Sequence, residues 1–216
     1  MAIIATVLKP ERMIYKRLIL ILCLLFPTWH VLSLTEGEGD KLISMKGSEK
    51  PAMPPSIFIL DRGLKPLQHL VSFMIDHNRT LDPVYVEKLV KTYIKESERE
   101  GINYEVAVCQ MCLETGFLRF DGTVSRFQNN FCGLGATDNL TAGDWFRSME
   151  EGVRAHIQHL KAYASIEPIK TPAVDKRFGR VRRGTVFTIY DLTGRWATDP
   201  EYGIKIDALL KKLYTR

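Results

Sequence analysis

The stretch Tyr104–Leu118, YEVAVCQMCLETGFL, decides how the rest of the chain is read. At helical spacing its apolar residues point every way. Val106, Leu113 and Phe117 mark one direction, Ala107, Met111 and Leu118 a second, Val108 and Cys112 a third. A helix that is apolar all round belongs in a core. Two acidic residues lie on it. Glu105 falls in the first turn, where a carboxylate complements the helix dipole. Glu114 has no such role, and the stretch offers it no Lys or Arg. Apolar surroundings penalise the charged carboxylate and raise its pKa. Such a group stays protonated near neutral pH and serves as a general acid. For an isolated helical Glu the ordinary reading is a solvated or paired side chain. The sequence around Glu114 reverses that preference.

Outward from this stretch, helix signals are clear. Leu67, Leu70, Val71, Met74 and Ile75 repeat at helical spacing after Pro66. Asp82 and Pro83 supply an N-cap and first position for a second helix, which Gly101 stops. Asn103 caps the central helix, and Gly116 ends it. Residues 120–145 carry Gly122, Gly133, Gly135 and Gly143 and predict turns or a short hairpin. Met149–Ala164 is a further helix and Pro200–Tyr214 the last, with Val186–Leu192 ambiguous between strand and helix. The fold class is mainly α (α+β).

The chain has 216 residues, with 30 basic against 25 acidic and a formal charge of +5. This mild excess suits an anionic partner, but the charges are interspersed. The basic run Lys170, Lys176, Arg177, Arg180, Arg182 and Arg183 reads as solvated surface or as the edge of a cleft for an acidic glycan. Lys9, Arg12, Lys16 and Arg17 precede the apolar run Leu18–Phe26, and Val31-Leu32-Ser33 ends in a small residue. That pattern describes a signal peptide, with Met13 as a candidate start, or an N-terminal membrane anchor over residues 18–34. Leu22 before Cys23 argues against a lipoprotein. The expected organisation is residues 1–34 as signal or anchor, 35–64 as flexible linker and 65–216 as the folded domain.

Beyond the leader stand Cys109, Cys112 and Cys132. Cys109 and Cys112 within a buried helix read as small core residues, and a bond from one of them to Cys132 stays open. His156 and His159 lie three apart on one helix. With no third ligand at a motif spacing, a packed or exposed pair is preferred to zinc. No phosphate loop, nucleotide fingerprint or Ser-His-Asp signature is present.

Three segments carry a resemblance. Gln110-Met111-Cys112-Leu113-Glu114-Thr115-Gly116, then Asn129-Asn130-Phe131-Cys132-Gly133-Leu134-Gly135, then Trp196-Ala197-Thr198-Asp199-Pro200-Glu201-Tyr202 together resemble the bacterial glucosaminidases of glycoside hydrolase family 73. The wording Gly152-Val153-Arg154-Ala155-His156-Ile157-Gln158-His159-Leu160 resembles its Bacteroides-type variant. The resemblance implies a lysozyme-like helical domain with a small lobe beside a groove. It implies hydrolysis of the β-1,4 bond after N-acetylglucosamine in peptidoglycan, with no metal or cofactor. It places the catalytic acid at Glu114 and an assisting tyrosine at Tyr202. Asn130 and Phe131 would line the groove, as would Gln110, one turn before the acid.

The lobe departs from the family pattern in lacking a clearly aligned second acid. Asp138 is the first candidate for it, following Gly-Leu-Gly-Ala-Thr, and Asp144, also a candidate substrate contact, is the other; each is otherwise an ordinary turn residue. The sugar's own N-acetyl oxygen is a third route. A lytic transglycosylase and a non-catalytic wall-binding module are the rival readings. The expected partner is the peptidoglycan strand, not nucleic acid. The protein is expected to be a monomer in the periplasm or envelope, secreted or held by its N-terminal segment.

Overall fold

A computed structural model describes residues 53–136 and 141–215. The leader, most of the linker and Asp138 lie outside them. Five helices carry the domain: α1 Leu67–His77, α2 Pro83–Glu100, α3 Tyr104–Thr115, α4 Met149–Ala164 and α5 Tyr202–Tyr214. Among the described residues there is no strand, only isolated bridges between Phe58 and Thr188 and between Thr193 and Ala197. The domain is mainly α, as expected. The anticipated lobe is irregular, with a 3-10 turn at Arg126–Gln128 in place of a hairpin. A second 3-10 turn, Ile189–Leu192, resolves the ambiguous segment.

α3 is the hub, packing against α2, α4 and α5. Every residue from Tyr104 to Cys112 is buried, which is what the all-round apolar pattern requires. The caps act as their residue types dictate. Asp82 accepts the Val84 amide, and Asn103 accepts those of Glu105 and Val106. Gly101 closes α2 at φ 74°, and Gly116 closes α3 at φ 56°, the left-handed C-cap that glycine favours.

Two expectations are corrected here. The fold begins before residue 65. Ile59 is fully buried, its amide donates to the Phe187 carbonyl at 2.9 Å, and its carbonyl accepts from the Asn103 amide at 2.9 Å. Ile57 packs on the same core. A stretch expected to be linker is therefore anchored by two apolar side chains. Glu105 also does more than face the helix dipole. It is fully buried, accepts from the Leu64 amide at 2.7 Å and from the Lys65 amide at 2.5 Å, and accepts the Tyr214 hydroxyl at 2.8 Å. One carboxylate thus ties the entry of the chain to the end of α5.

After α3 the backbone stays left-handed. Phe117, Leu118 and Phe120 have φ of 56°, 63° and 57°. Bulky residues rarely accept this region, and each such residue costs about 1–3 kcal/mol. The run is held by hydrogen bonds from the Asn78 amide to the Phe117 carbonyl at 2.9 Å and from the Leu118 amide to Thr115 Oγ1 at 2.9 Å. Its effect is to swing Phe120 onto the wall of the cavity beside Glu114.

The lobe, residues 120–146, is built by side-chain amides. Asn130 Nδ2 donates to the carbonyls of Leu134 at 2.7 Å and Asp144 at 3.1 Å, and its Oδ1 accepts the Leu134 amide at 3.0 Å. The lobe sits on α4 at Gly152. A Cβ there would stand 1.7 Å from the Asn129 carbonyl oxygen, so no other residue fits without moving the backbone. The segment 166–184 follows α4 as turns and coil.

Candidate active site

Glu114 occupies the penultimate position of α3 and opens into a cavity of about 470 Å³. Asn130, Cys132 and Gly133 from the lobe line it, with Trp196 and Thr198 from the approach to α5. Glu114 Oε1 accepts the Tyr202 hydroxyl and the Trp196 indole N–H, the latter at 3.1 Å. Burial drives its pKa above the usual carboxylate range, and the hydrogen bonds from Tyr202 and Trp196 pull against that rise. The negative end of α3 adds to the upward push. A carboxyl whose neutral form is favoured in this way has the character of a general acid.

Tyr202 is the first residue of α5, and the preceding turn aims it. The Asp199 carboxylate accepts the Glu201 amide at 2.9 Å and pairs with Lys205, while the Tyr202 amide bonds the Asp199 carbonyl at 3.1 Å. Burial first, then the neighbouring Glu114, pushes the Tyr202 hydroxyl well above its ordinary value. It therefore acts as a neutral donor and not as a phenolate.

The residues singled out from sequence fall in different places. Glu114 and Tyr202 meet. Asn130 reaches the cavity wall while also clamping the lobe. Gln110 is fully buried and donates to the Tyr202 hydroxyl at 2.8 Å, so it lies behind the site and not in the groove. Phe131 is likewise corrected. It is fully buried, with its ring 6.4 Å from that of Tyr93 and 6.5 Å from that of Phe120; a large apolar ring beside the core turns inward. Asp144 pairs with Arg177 at 3.4 Å and helps close the lobe through its backbone. Of the basic run, Arg177 is held in that pair and Arg183 bonds the Ser165 and Glu167 carbonyls; neither belongs to the cavity wall.

Trp196 is the site residue that pattern reading passed over. Trp196 stood inside the third matching segment, and the donor capacity of a half-buried indole was the available signal. His156 is fully buried and contacts Gln110 and Tyr93, while His159 pairs with Asp175 at 2.8 Å. Among the described residues no cluster suited to a metal ion occurs. Cys109, Cys112 and Cys132 are free thiols, all buried, and burial pushes each pKa up.

A second, larger hollow of about 1130 Å³ shares Phe120 with the Glu114 cavity. Arg79, Tyr85, Arg126 and Phe127 border it. No helix among the described residues is long and apolar enough to cross a membrane.

No solved structure matches this chain. An uncharacterized protein of Borreliella burgdorferi is 51% identical over 156 residues, which is 72% of this chain and 76% of that protein. This relative does not speak to the Bacteroides-type variant. The glucosaminidase family model, described as mannosyl-glycoprotein endo-beta-N-acetylglucosaminidase, matches residues 90–215. That span runs from within α2 to the end of α5 and contains Glu114, Trp196 and Tyr202, so the chain belongs to the glucosaminidase family.

Proposed function

We propose that this protein is a peptidoglycan hydrolase, an endo-β-N-acetylglucosaminidase that cleaves the β-1,4 bond after N-acetylglucosamine. The observation that carries the reading is Glu114, with raised pKa, held by Tyr202 and Trp196 in a cleft beside the lobe. Protonated Glu114 gives its proton to the glycosidic oxygen as the bond to C1 breaks.

Glu114 is the one carboxylate lining its cavity among the described residues. Asp138 lies outside the described residues, so two second groups are open: that carboxylate, or the substrate's own acetamido group. In the acetamido course, the N-acetyl oxygen of the sugar attacks C1 and forms an oxazolinium ring, which water then opens. Glu114, now a carboxylate, takes the proton from that water. Asp138 remains the competing second acid. The N-terminal basic and apolar segments support export to the periplasm or envelope, where this substrate lies.

The test is mass spectrometry of purified peptidoglycan after incubation with the full-length protein and borohydride reduction. Reduced N-acetylglucosamine ends are expected, and Glu114→Gln should remove them by about 10²–10⁴-fold. Anhydro ends would replace the reading with a transglycosylase. Binding to sacculi without new ends would leave a wall-binding module. Loss of activity in a folded Asp138→Asn variant would give the second role to Asp138, and retained activity would leave it to the acetamido group.

A further inference from the structure

Behind the catalytic acid, a file of buried side chains runs inward through four helices. Tyr202 of α5 is followed by Gln110 of α3, His156 of α4 and Tyr93 of α2. Gln110 Nε2 lies 2.8 Å from the Tyr202 oxygen, and Gln110 Oε1 lies 3.0 Å from His156 Nε2. His156 Nδ1 lies 2.9 Å from the Tyr93 hydroxyl. Gln110, His156 and Tyr93 are fully buried. Their hydrogen bonds are therefore settled among themselves, and an unpaired member would be destabilising.

The direction of the file is decided at its outer end. The Trp196 indole is a donor only, and it points at Glu114 Oε1. Oε1 is thus an acceptor, and Tyr202 must donate to it. The Tyr202 oxygen then accepts the Gln110 amide. That orients the carboxamide, whose oxygen faces His156 Nε2 and must accept an N–H. Nδ1 is left bare and accepts the Tyr93 hydroxyl. Every proton in the file points toward Glu114.

We infer that Gln110, His156 and Tyr93 are positioning residues that lock Tyr202 as a donor to Glu114 Oε1 and so confine the transferable proton to Oε2. Oε1 already receives two donors, whereas Oε2 lies on the side of Gly133 at the cavity wall. For its effect on turnover the inference rests on the glycosidase reading; for the proton arrangement it does not.

Ionisable groups face the file along its length, with Cys132, Cys112 and Tyr85 around Tyr93. Glu114 faces Tyr202 from α5, Trp196 from the turn before it and Cys132 from the lobe. His156 faces Tyr93, Gln110, the Trp196 ring and His159 of its own helix. Burial first, and His159 second, lower the His156 pKa to about 3. The imidazole is therefore neutral across the working range and has a single tautomer to choose.

The experiment is NMR of the full-length protein, with ¹⁵N-histidine to read the tautomer and ¹³C-glutamate to titrate Glu114. The expected wild-type imidazole carries its proton on Nε2. Gln110→Met and His156→Phe weaken the donation from Tyr202 to the carboxylate. The Glu114 midpoint should rise by about half a pH unit or more, as expected when a hydrogen bond to the charged form is lost. The basic limb of kcat/KM should rise with it. Tyr93→Phe, the mildest change, removes only the donor to Nδ1, so the Nε2–H tautomer held by Gln110 Oε1 should persist in it. A wild-type Nδ1–H tautomer, or a Glu114 midpoint unmoved in folded Gln110→Met, would overturn the inference. A loss of kcat/KM with no movement of the limb would also overturn it, leaving these residues as packing alone. Wild-type protein with the Nε2 tautomer and shifted variant midpoints, but inert on peptidoglycan, would support the relay and overturn the glycosidase reading.

Discussion

Tyr202 and Glu114 stand 88 residues apart in the chain, and the hydroxyl of one donates directly to the carboxylate of the other. The first residue of α5 thereby completes the last turn of α3. The bond favours the ionised acid and opposes the burial that favours the neutral one.

Tyr202→Phe should raise the Glu114 pKa further, since it removes a hydrogen bond to the charged form. The general acid must be protonated to act, so activity falls as pH rises through its pKa. Removing the hydroxyl should move that falling limb to higher pH while lowering the maximum rate by about 10-fold or more. A pH profile of reducing-end release on purified sacculi checks both.

Stability should fall on acidification because of His156. Its folded pKa of about 3 lies below the ordinary value of 6.5. Between the two the unfolded chain binds a proton that the folded one does not. Stability therefore declines as pH drops from about 6.5 toward about 3, by on the order of 5 kcal/mol from this group. Urea unfolding of wild type and His156→Asn should show the difference between them shrinking with pH across this window.

Glu105→Ala should destabilise the domain by roughly 2–4 kcal/mol. It strands the Leu64 and Lys65 amides and the Tyr214 hydroxyl, which now share one carboxylate. Denaturant midpoints measure the loss, and hydrogen exchange should show it concentrated at residues 56–65 and the end of α5.

Gly152→Ala should push the lobe off α4, because its methyl group would overlap the Asn129 carbonyl. Destabilisation of about 1–3 kcal/mol is expected. Activity should fall more than stability requires, since Asn130 follows directly and lines the cavity. Comparing melting temperature with kcat/KM separates the two effects.

What was legible in the sequence follows from range. Caps act within three residues, so Asp82, Asn103 and Gly116 announced α2 and α3. The apolar surround of Tyr104–Leu118 announced burial, and with it an unusual Glu114. Phe131 and Gln110 were harder. Each adjoins a site residue, and only the packing of four helices decides that Asn130 meets the cavity while Phe131 turns to the core. The two roles of Glu105 depend on partners 41 and 109 residues away, beyond any local pattern. Ile57 and Ile59 are short apolar marks in a polar tract, and their burial requires the segment near Phe187 and Thr188.

The Glu105 clamp has a consequence for how the domain can be mounted. Ser56 and Lys65 on the entering chain and Tyr214 on the leaving one all converge on the N-terminal end of α3. Glu114 lies nine residues along that helix, roughly 14 Å away at 1.5 Å per residue. Both doorways of the described domain open at one end of α3, and Glu114 lies toward the other. A partner joined ahead of Ser56 or after Tyr214, or a closure joining those two points, would enter the domain at the end of α3 away from Glu114.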